Sequence, residues 1–354
     1  TMNVNGLIES LEVRDVPDVD ATTTPPQVDI AELLKQRRFN PNIEPPPLRV
    51  IYTLAGNCIS TPGNLTTITS AAKTGKTTGL TAMAAAAMPH SNDADTLGFE
   101  STNPKNHALL HFDTEQSPDD HWHCVRRMLE RTGLKKPPSW FHSYYLAGLG
   151  VKRTWECISE VIRGAADAHG GVHSILIDGV ADLVADVNDA GESNLLVSTL
   201  HDLAIQNDCP IVGVIHFNPG SEKVRGHLGS QLERKAETNL RLDKEDGVTV
   251  IWSEKQRRAP IPKNVGPCFQ WSDEAGMHVS VQNIQVSKDE LEAQALKELF
   301  ADMFLDRPSL RYSDLKDTLV THAKVSRTTA ERKIVKAVTF GIVKKSVAGL
   351  YVLC

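Results

Sequence analysis

The stretch LTTITSAAKTGKTTGLTAMAAAAM, from Leu65 to Met88, restricts the possible folds of this chain more than any other. Its β-branched beginning, Leu65 to Thr69, predicts a buried strand, and its alanine-rich end predicts a helix. The residues from Ser70 to Thr77 then form the loop between them. A strand, a loop and a helix in this order are the repeating unit of α/β proteins with a parallel sheet.

The loop sequence SAAKTGKT matches the phosphate-binding pattern GxxxxGK[ST] at every fixed position except the first, where Ser70 replaces glycine. In that pattern, backbone N–H groups turn inward around a phosphate, and the helix N-terminus adds partial positive charge. Lys76 then reaches the β- and γ-phosphates, and Thr77 binds Mg²⁺, with Thr78 as the alternative if the register shifts by one. An ordinary turn before a helix is the other interpretation, which the flanking strand and helix disfavour. The sequence therefore predicts ATP and Mg²⁺ as cofactors, bound by Ser70, Ala71, Ala72, Lys73, Thr74, Gly75, Lys76, Thr77 and Thr78.

An acidic segment follows the apolar run from His107 to Phe112. Because the carboxyl ends of parallel strands form the ligand crevice of an α/β sheet, carboxylates at this position lie near the phosphates. Glu115 is the candidate base that orients and activates a water against the γ-phosphate. The alternative is that Asp113 and Glu115 only cap the helix that starts near Pro118.

Two later apolar runs also end in side chains that carry chemistry. The run from Ser174 to Asp178 ends in an aspartate, which is typical of a Walker B carboxylate that holds the Mg²⁺ water shell. Asp182, which follows nearby, reads as a loop or capping residue. The run from Pro210 to Ile215 leads to His216, which is either a sensor of the γ-phosphate or a structural histidine.

Helical and strand patterns alternate along this part of the chain, so the predicted fold class is α/β, with a doubly wound, mostly parallel sheet. A net charge of −6 argues against general coating of nucleic acid, so such binding requires a local basic patch. Six cysteines without a CxxC pair indicate free thiols in a reducing compartment, and the cluster HWHC has no second cluster to complete a zinc site. With no secretory signal and no run of about 18 apolar residues, we expect a cytoplasmic protein without membrane contact.

Two basic segments lie in the second half of this α/β region. The segment from Phe217 to Arg234 is polar and glycine-rich and carries Lys223 and Arg225, so it is a candidate nucleic-acid-binding loop or, alternatively, a mobile solvent loop. Lys255 and Arg257 form a KxR pair at a predicted strand end. Such a pair suits a trans-acting arginine finger that neutralises charge on a neighbour's ATP, and a basic surface turn is the alternative.

The chain changes character after about residue 285. Helices are predicted from Asp289 to Phe304, from Ser313 to about His322 and from Arg327 to Phe340, followed by a small hairpin. Three helices and a hairpin predict a winged helix, which would bind duplex DNA through basic side chains or dock a protein. The candidate DNA-binding residues of this part are Arg327, Arg332, Lys333 and Lys336.

The beginning of the chain is acidic and then proline-rich, which predicts a poorly packed arm. Within this arm, Asp29 caps a predicted short amphipathic helix that runs through Phe39. Its apolar face needs a partner, either in the same chain or in a neighbouring subunit. We therefore expect an N-terminal arm over 1–46, an ATPase core over 47–285 and a winged-helix domain over 286–354.

The phosphate-binding loop, the acidic segment DTEQS, the strand ILID, the strand-end histidine and the KxR pair occur in the order of RecA-like ATPases. The span from about Pro46 to Val281 resembles the plasmid-encoded RepA-type replicative helicases, a hexameric branch of that superfamily. The serine at the first loop position and the C-terminal winged helix depart from that family's pattern. The resemblance implies ATP sites between subunits, in which Lys76 and Thr77 bind phosphate and Mg²⁺, Glu115 is the catalytic carboxylate, Asp178 is the Walker B acid and His216 is the γ-phosphate sensor. It also implies that Lys255 and Arg257 act across the interface. Lys223 and Arg225 would lie in a pore loop that binds single-stranded DNA.

Three hypotheses of function follow. The first is an ATP-driven ring motor, a homo-hexamer that translocates on single-stranded DNA and unwinds duplex for a plasmid, phage or other mobile element. The second is a DNA-binding regulator or origin-recognition protein whose ATP site acts as an assembly switch. The third is a RecA-like recombination or repair accessory that forms filaments rather than rings.

Overall fold

The computed structural model describes residues 29–218, 224–305, 307–346 and 349–354. The chain divides into two compact units, Thr1–Val281 and Gln282–Cys354. The predicted domains 1–46, 47–285 and 286–354 stay predictions. In the described part of the chain, no helix is both long enough and apolar enough to cross a membrane.

The first unit contains the following elements in chain order. They are α1 (Ile30–Arg37), β1 (Tyr52–Leu54), β2 (Asn57–Ser60), β3 (Leu65–Ser70), α2 (Lys76–Ala87), β4 (Phe99–Ser101), β5 (Ala108–Asp113), α3 (Pro118–Thr132), β6 (Phe141–Tyr145), α4 (Val151–His169), β7 (Val172–Asp178), a short 3₁₀ helix (Val180–Leu183), α5 (Ala190–Gln206), β8 (Ile211–His216), α6 (Gly226–Lys235), β9 (Thr238–Glu245), β10 (Val248–Gln256), β11 (Cys268–Ser272) and β12 (Met277–Val281). The second unit contains α7 (Ile284–Phe304), α8 (Tyr312–His322), α9 (Arg327–Thr339), β13 (Val343–Lys345) and β14 (Tyr351–Leu353).

One large sheet organises the first unit, with its strands in the order β12-β11-β10-β9-β3-β8-β7-β5-β6. The strands from β9 to β6 in this order run parallel, whereas β10, β11 and β12 extend the sheet with antiparallel pairs. Alternate side chains of each buried strand enter two separate cores, as Leu109 and Leu110 of β5 do. One core includes Trp155 of α4, and the other includes Met83 of α2. The structure thus confirms the predicted α/β class with a doubly wound, mostly parallel sheet.

One local prediction was incomplete, and two features of the fold were not predicted. The predicted loop from Phe217 to Arg234 ends in helix α6, because Leu228 and Leu232 bury one face of a segment that looked polar. A small sheet of β2, β1 and β4 and the hairpin β11–β12 were not predicted. Strands of three to five residues carry too few alternating positions to show a period in the sequence.

Helix α1 begins as predicted, because the Asp29 Oδ1 atom accepts the backbone N–H of Ala31 at 2.9 Å. The helix ends at Arg37, two residues before the predicted end at Phe39. No residue of this helix is buried, and Leu34 is 64% exposed. The predicted apolar face therefore has no covering surface among the described residues of the chain.

The second unit has a hydrophobic core of its own, built from its three helices and the two-stranded sheet. Phe300, Leu315 and Ile334 place one side chain from each helix in this core. Ser326 caps α9 by accepting the backbone N–H of Thr329, as predicted. Three helices and a hairpin are thus present, with α7 beginning at Ile284 rather than at the predicted Asp289.

Candidate functional site

The conformation of the loop between β3 and α2 depends on one glycine, Gly75. Gly75 precedes the first residue of α2 and has a left-handed backbone, with φ 100° and ψ 29°. A side chain at this position would also meet the ring of Phe269, because an ideal Cβ lies 2.8 Å from its Cε2 atom. Glycine is therefore required here both for the backbone conformation and for the space.

Lys76 folds back over this loop. Its Nζ atom donates to the Ala71 carbonyl oxygen at 2.9 Å and to the Ser70 Oγ atom at 3.1 Å. Burial lowers the pKa of Lys76 to about 8, against the opposite effects of Glu115 and Asp178. The loop thus holds the ammonium group against carbonyl and hydroxyl oxygens of its own residues.

Ser70 stands where the motif has glycine, and the structure shows why a serine fits. The described residues with positive φ do not include Ser70, so its backbone makes no demand for glycine. Its hydroxyl donates to the Ala71 carbonyl at 2.8 Å and accepts from the Lys76 ammonium. The serine side chain is therefore part of the loop's hydrogen bonding rather than an obstacle within it.

Thr77 and Asp178 bring a hydroxyl and a carboxylate together. The Thr77 Oγ1 atom donates to the Asp178 Oδ2 atom at 2.6 Å, and Asp178 is only 2% exposed. Burial, together with the neighbouring Asp113 and Glu115, raises the pKa of Asp178 to about 6, and the Thr77 bond and Lys76 act in the opposite direction. Oxygen ligands of this kind fit Mg²⁺, held directly or through its water shell.

Thr78 lies elsewhere. Its hydroxyl pairs with the Nδ1 atom of His278 on β12 at 3.0 Å. Thr77, rather than Thr78, is therefore the threonine that faces the carboxylate, as the unshifted register of the motif predicts.

Glu115 and His216 meet at the same edge of the sheet. The Glu115 Oε2 atom lies 3.4 Å from the His216 Nε2 atom, and the two side chains are 36% and 34% exposed. Glu115 is in the turn after β5, and His216 is the last residue of β8. The structure thus brings both predicted residues to one place, with the carboxylate accessible to water.

Asp182 belongs to this edge as well, although the sequence suggested only a loop or capping role. Its Oδ2 atom accepts the Thr114 hydroxyl at 2.9 Å. Burial raises the pKa of Asp182, and the Thr114 bond, Arg225 and His216 act in the opposite direction. A cleft of about 570 Å³ opens here, lined in part by Thr114, Glu115 and Asp182.

The predicted pore-loop residues are described only in part. Lys223 lies outside the described residues. Arg225 precedes α6, and its backbone N–H donates to the His216 carbonyl oxygen at 3.0 Å. Arg225 also lines a polar pocket with Asp182 and Asn218. The segment that contains Arg225 is therefore joined directly to the end of β8.

Lys255 and Arg257 lie at the end of β10 and bind the last turn of α6 in the same chain. The Lys255 Nζ atom donates to the carbonyl oxygens of Glu233 at 2.7 Å and Arg234 at 2.8 Å. Arg257 donates to the Asn64 side chain at 3.1 Å. The described contacts of both cations thus include this helix end, where the helix dipole favours positive charge.

The four basic residues of the C-terminal part that are predicted to bind DNA all lie on α9 in the second unit. Arg327 pairs with Asp317 at 3.1 Å and Lys336 pairs with Glu292. Arg332 is exposed, and Lys333 is half-buried. Carboxylates therefore already neutralise part of the positive charge on this helix, at Arg327 and Lys336.

Sequence reasoning missed the hairpin β11–β12, which borders the phosphate loop. Trp271 of this hairpin is 46% exposed and meets His278 edge-on, with ring centroids 5.4 Å apart. The Arg127 guanidinium lies over the indole, 5.9 Å from its centroid. A flat aromatic surface with a neighbouring cation thus lies beside the beginning of α2.

Comparisons with known proteins find likenesses among solved structures. No protein-family profile matches the chain, and no curated protein matches it. Among solved structures, the chain is similar to the crystal structure of the RadB recombinase, at 19% sequence identity and a TM-score of 0.41. That match covers 65% of this chain and 95% of the other.

Proposed function

We propose that the chain is a RecA-like ATPase that hydrolyses ATP with Mg²⁺. One observation carries this proposal: Lys76 and Thr77 of α2, Asp178 of β7 and Glu115 in the turn after β5 converge at one edge of the sheet. Glu115 and Asp178 raise the pKa of Lys76, and Lys76 in turn lowers the pKa of Asp178, so the three charged groups are close enough to interact. Phosphoryl transfer needs this combination of a cation, a metal site and a carboxylate that faces water.

In the proposed mechanism, the loop N–H groups and Lys76 bind the β- and γ-phosphates. Thr77 and Asp178 would hold Mg²⁺, and a metal ion bound there would supply positive charge to offset the negative charge of these phosphates. Glu115 orients a water for in-line attack and accepts its proton. His216, next to Glu115, contacts the γ-phosphate and transmits its loss to Arg225 through the backbone hydrogen bond that joins them.

We further propose that hydrolysis drives movement on single-stranded DNA in a ring of identical subunits, a hexamer, during replication of a plasmid, phage or other mobile element. The segment around Lys223 and Arg225 binds the strand. Lys255 and Arg257 act on the ATP of a neighbouring subunit. Support comes from Arg225, whose backbone is bonded to the strand that ends at the candidate sensor.

The second unit, in this proposal, is a winged helix that binds DNA through Arg327, Arg332, Lys333 and Lys336. The separate core of this unit and the basic face of α9 also favour a second function, an ATP-switched DNA-binding regulator that does not unwind DNA. A filament-forming recombination or repair accessory is compatible with the same ATPase site.

The test is the ATP hydrolysis rate of the wild type and of Glu115→Gln, each with and without single-stranded DNA. Hydrolysis that DNA stimulates, and that Glu115→Gln abolishes while ATP still binds, supports the motor. Arg257→Ala then lowers the rate in the assembled oligomer, and Arg153→Ala on α4 is the matched control. Absence of hydrolysis under every condition contradicts the ATPase, and duplex-specific binding that survives Lys76→Ala favours the regulator.

A further inference from the structure

A chain of buried polar side chains lies behind Glu115. The Asp113 Oδ1 atom accepts the backbone N–H groups of Glu115 at 3.1 Å and Gln116 at 3.0 Å. Asp113 is fully buried. These two hydrogen bonds fix the turn from which the Glu115 side chain projects.

The other carboxylate oxygen of Asp113 faces a histidine. The His121 Nδ1 atom lies 3.3 Å from the Asp113 Oδ2 atom, and His121 is only 7% exposed. The opposite ring nitrogen of His121, Nε2, lies 3.1 Å from the Ser143 hydroxyl of β6. That hydroxyl also lies 2.8 Å from the Nδ1 atom of His111, which is completely buried.

With a neutral His121 ring, one assignment of protons satisfies every hydrogen bond in this series. An ionised carboxylate only accepts, so the His121 Nδ1–H donates to Asp113. The Nε2 atom of His121 then accepts the Ser143 hydroxyl proton, and Ser143 accepts the Nδ1–H of His111. Burial lowers the pKa of His111 to about 4, which keeps this ring neutral as the assignment requires.

The chain has an energetic cost that packing alone does not explain. Buried polar side chains contribute little to stability unless each is paired, and apolar side chains of similar volume are often as good. Here the Nε2 atom of His111 has no partner among the described residues. Asp113 also lies in register with Asp178 on β7, so two carboxylates are neighbours at the strand ends. The histidine donor offsets this repulsion at the carboxylate that orients the turn.

We propose that His121, held by Ser143 and His111, is a positioning residue that fixes Asp113 and thereby aims the Glu115 carboxylate. This inference rests on the proposed ATPase function for its effect on rate, but not for its effect on the turn. His121 touches neither nucleotide nor the attacking water in this arrangement. It therefore acts on the rate of hydrolysis and leaves the phosphate-binding loop unchanged.

The experiment compares His121→Leu, which removes both hydrogen bonds, with His121→Asn, which keeps a donor near the Nδ1 position. His123→Leu is the control, since His123 lies on the same helix but is exposed. We expect His121→Leu to lower kcat by about tenfold or more, because misplacing a catalytic group by about 1 Å has effects of this size. Its ATP dissociation constant stays within about threefold of the wild type, and His121→Asn recovers much of the rate.

Amide hydrogen exchange of the nucleotide-free protein supplies a readout that does not depend on hydrolysis. We expect faster exchange at Glu115 and Gln116 in His121→Leu than in His123→Leu, and Ser143→Ala gives the same change if His121→Leu fails to fold. Unchanged exchange at these two amides overturns the positioning role. If exchange at these amides is faster in His121→Leu but the wild-type protein does not hydrolyse ATP, the positioning role stands. Only the proposed function is then contradicted.

Discussion

The hydroxyl of Thr77 lies 2.6 Å from the carboxylate of Asp178, although β8 separates the strands to which these residues are attached. Thr77 is in the first turn of α2, and Asp178 is the last residue of β7. The hydrogen bond therefore bridges two strand positions at the carboxyl edge of the sheet. A metal ion bound there would contact both elements and would replace the proton that now joins them.

The first prediction concerns Asp178 and the stability of the metal-free protein. Because burial raises the pKa of Asp178 from 3.8 to about 6, the folded chain keeps a proton that the unfolded chain releases. This contribution to stability is present below pH 4 and is lost as the pH rises through 6. Asp178→Asn should therefore raise the free energy of unfolding by up to about 3 kcal/mol at pH 7.5 without Mg²⁺.

The measurement is urea denaturation at pH 7.5 and at pH 4, with the exposed Asp167→Asn on α4 as the control. At pH 4 the gain from Asp178→Asn should largely disappear, because the wild-type carboxyl is then protonated. The charged groups that act on Asp178 are Asp113, Glu115 and Lys76. A loss of stability in Asp178→Asn at pH 7.5 would contradict the prediction.

The second prediction concerns Lys76 and the pH dependence of nucleotide binding. Burial lowers the pKa of this side chain from 10.5 to about 8, so the free protein loses the ammonium charge between pH 7 and pH 9. Affinity for ADP should fall about tenfold over this interval, because the neutral amine binds phosphate weakly. Equilibrium binding of a fluorescent ADP measures this change.

Two variants separate Lys76 from other titrations in that assay. Lys76→Arg keeps its charge at pH 9, so its affinity should vary little with pH, whatever its absolute value. Lys135→Met, an exposed lysine elsewhere, should keep the wild-type slope. An equal slope in Lys76→Arg and the wild type would show that another group titrates.

The third prediction concerns Gly179, which follows Asp178 with φ 103°. An ideal Cβ at this position lies 2.2 Å from the Thr114 Oγ1 atom and 2.8 Å from the Glu115 Cγ atom. Gly179→Ala should therefore displace Glu115 and lower the rate of hydrolysis by about a hundredfold, while ADP still binds. Steady-state hydrolysis and ADP binding test this split.

The matched control is Gly247→Ala in the turn between β9 and β10. Gly247 also has a positive φ, of 85°, but has no neighbour within 4 Å of its ideal Cβ position. Both variants should lose about 1 kcal/mol of stability from backbone strain. Only Gly179→Ala should lose activity, and an equal loss in both would assign the effect to stability.

The fourth prediction concerns Trp271. If the phosphates bind at the beginning of α2 as proposed, we expect the nucleoside beyond Thr78, on the side of His278 and Trp271. Stacking of a base on an aromatic ring is worth about 1–3 kcal/mol. Trp271→Ala should therefore weaken ATP binding about tenfold and leave tripolyphosphate binding unchanged.

Calorimetric titration with ATP and with tripolyphosphate checks this difference. Phe39→Ala, which removes an aromatic ring that is 86% exposed, should bind both as the wild type does. If Trp271→Ala weakens the binding of both ligands equally, the indole stabilises the phosphate loop rather than stacking on the base.

The carboxyl edge of the sheet could be predicted because its signals are local. A motif of fixed spacing identifies Lys76 and Thr77, and apolar runs that end in a polar residue identify Asp178 and His216. The proximity of Glu115 to His216 then follows from the rule that parallel strands align their carboxyl ends. The structure places these residues together at that edge, and their roles stay predictions.

The parts that could not be predicted depend on contacts between distant segments. Nothing near Phe269 in the sequence relates it to Gly75, and β11 and β12 are too short to show a period. His121 is buried and Ser143 is half-buried, whereas a pattern of polar residues predicts exposure. Their pairing becomes visible only when β5, β6 and α3 are packed together.

The contact between Gly75 and Phe269 also has a consequence for synthesis of the chain. A second contact joins the same regions, since the Thr249 hydroxyl donates to the Thr74 carbonyl oxygen at 2.9 Å. The phosphate loop leaves the ribosome early, but one of its walls is translated long afterwards. A nascent chain that has not reached β11 lacks this wall, so we expect the phosphate loop to reach its final surroundings only late in synthesis.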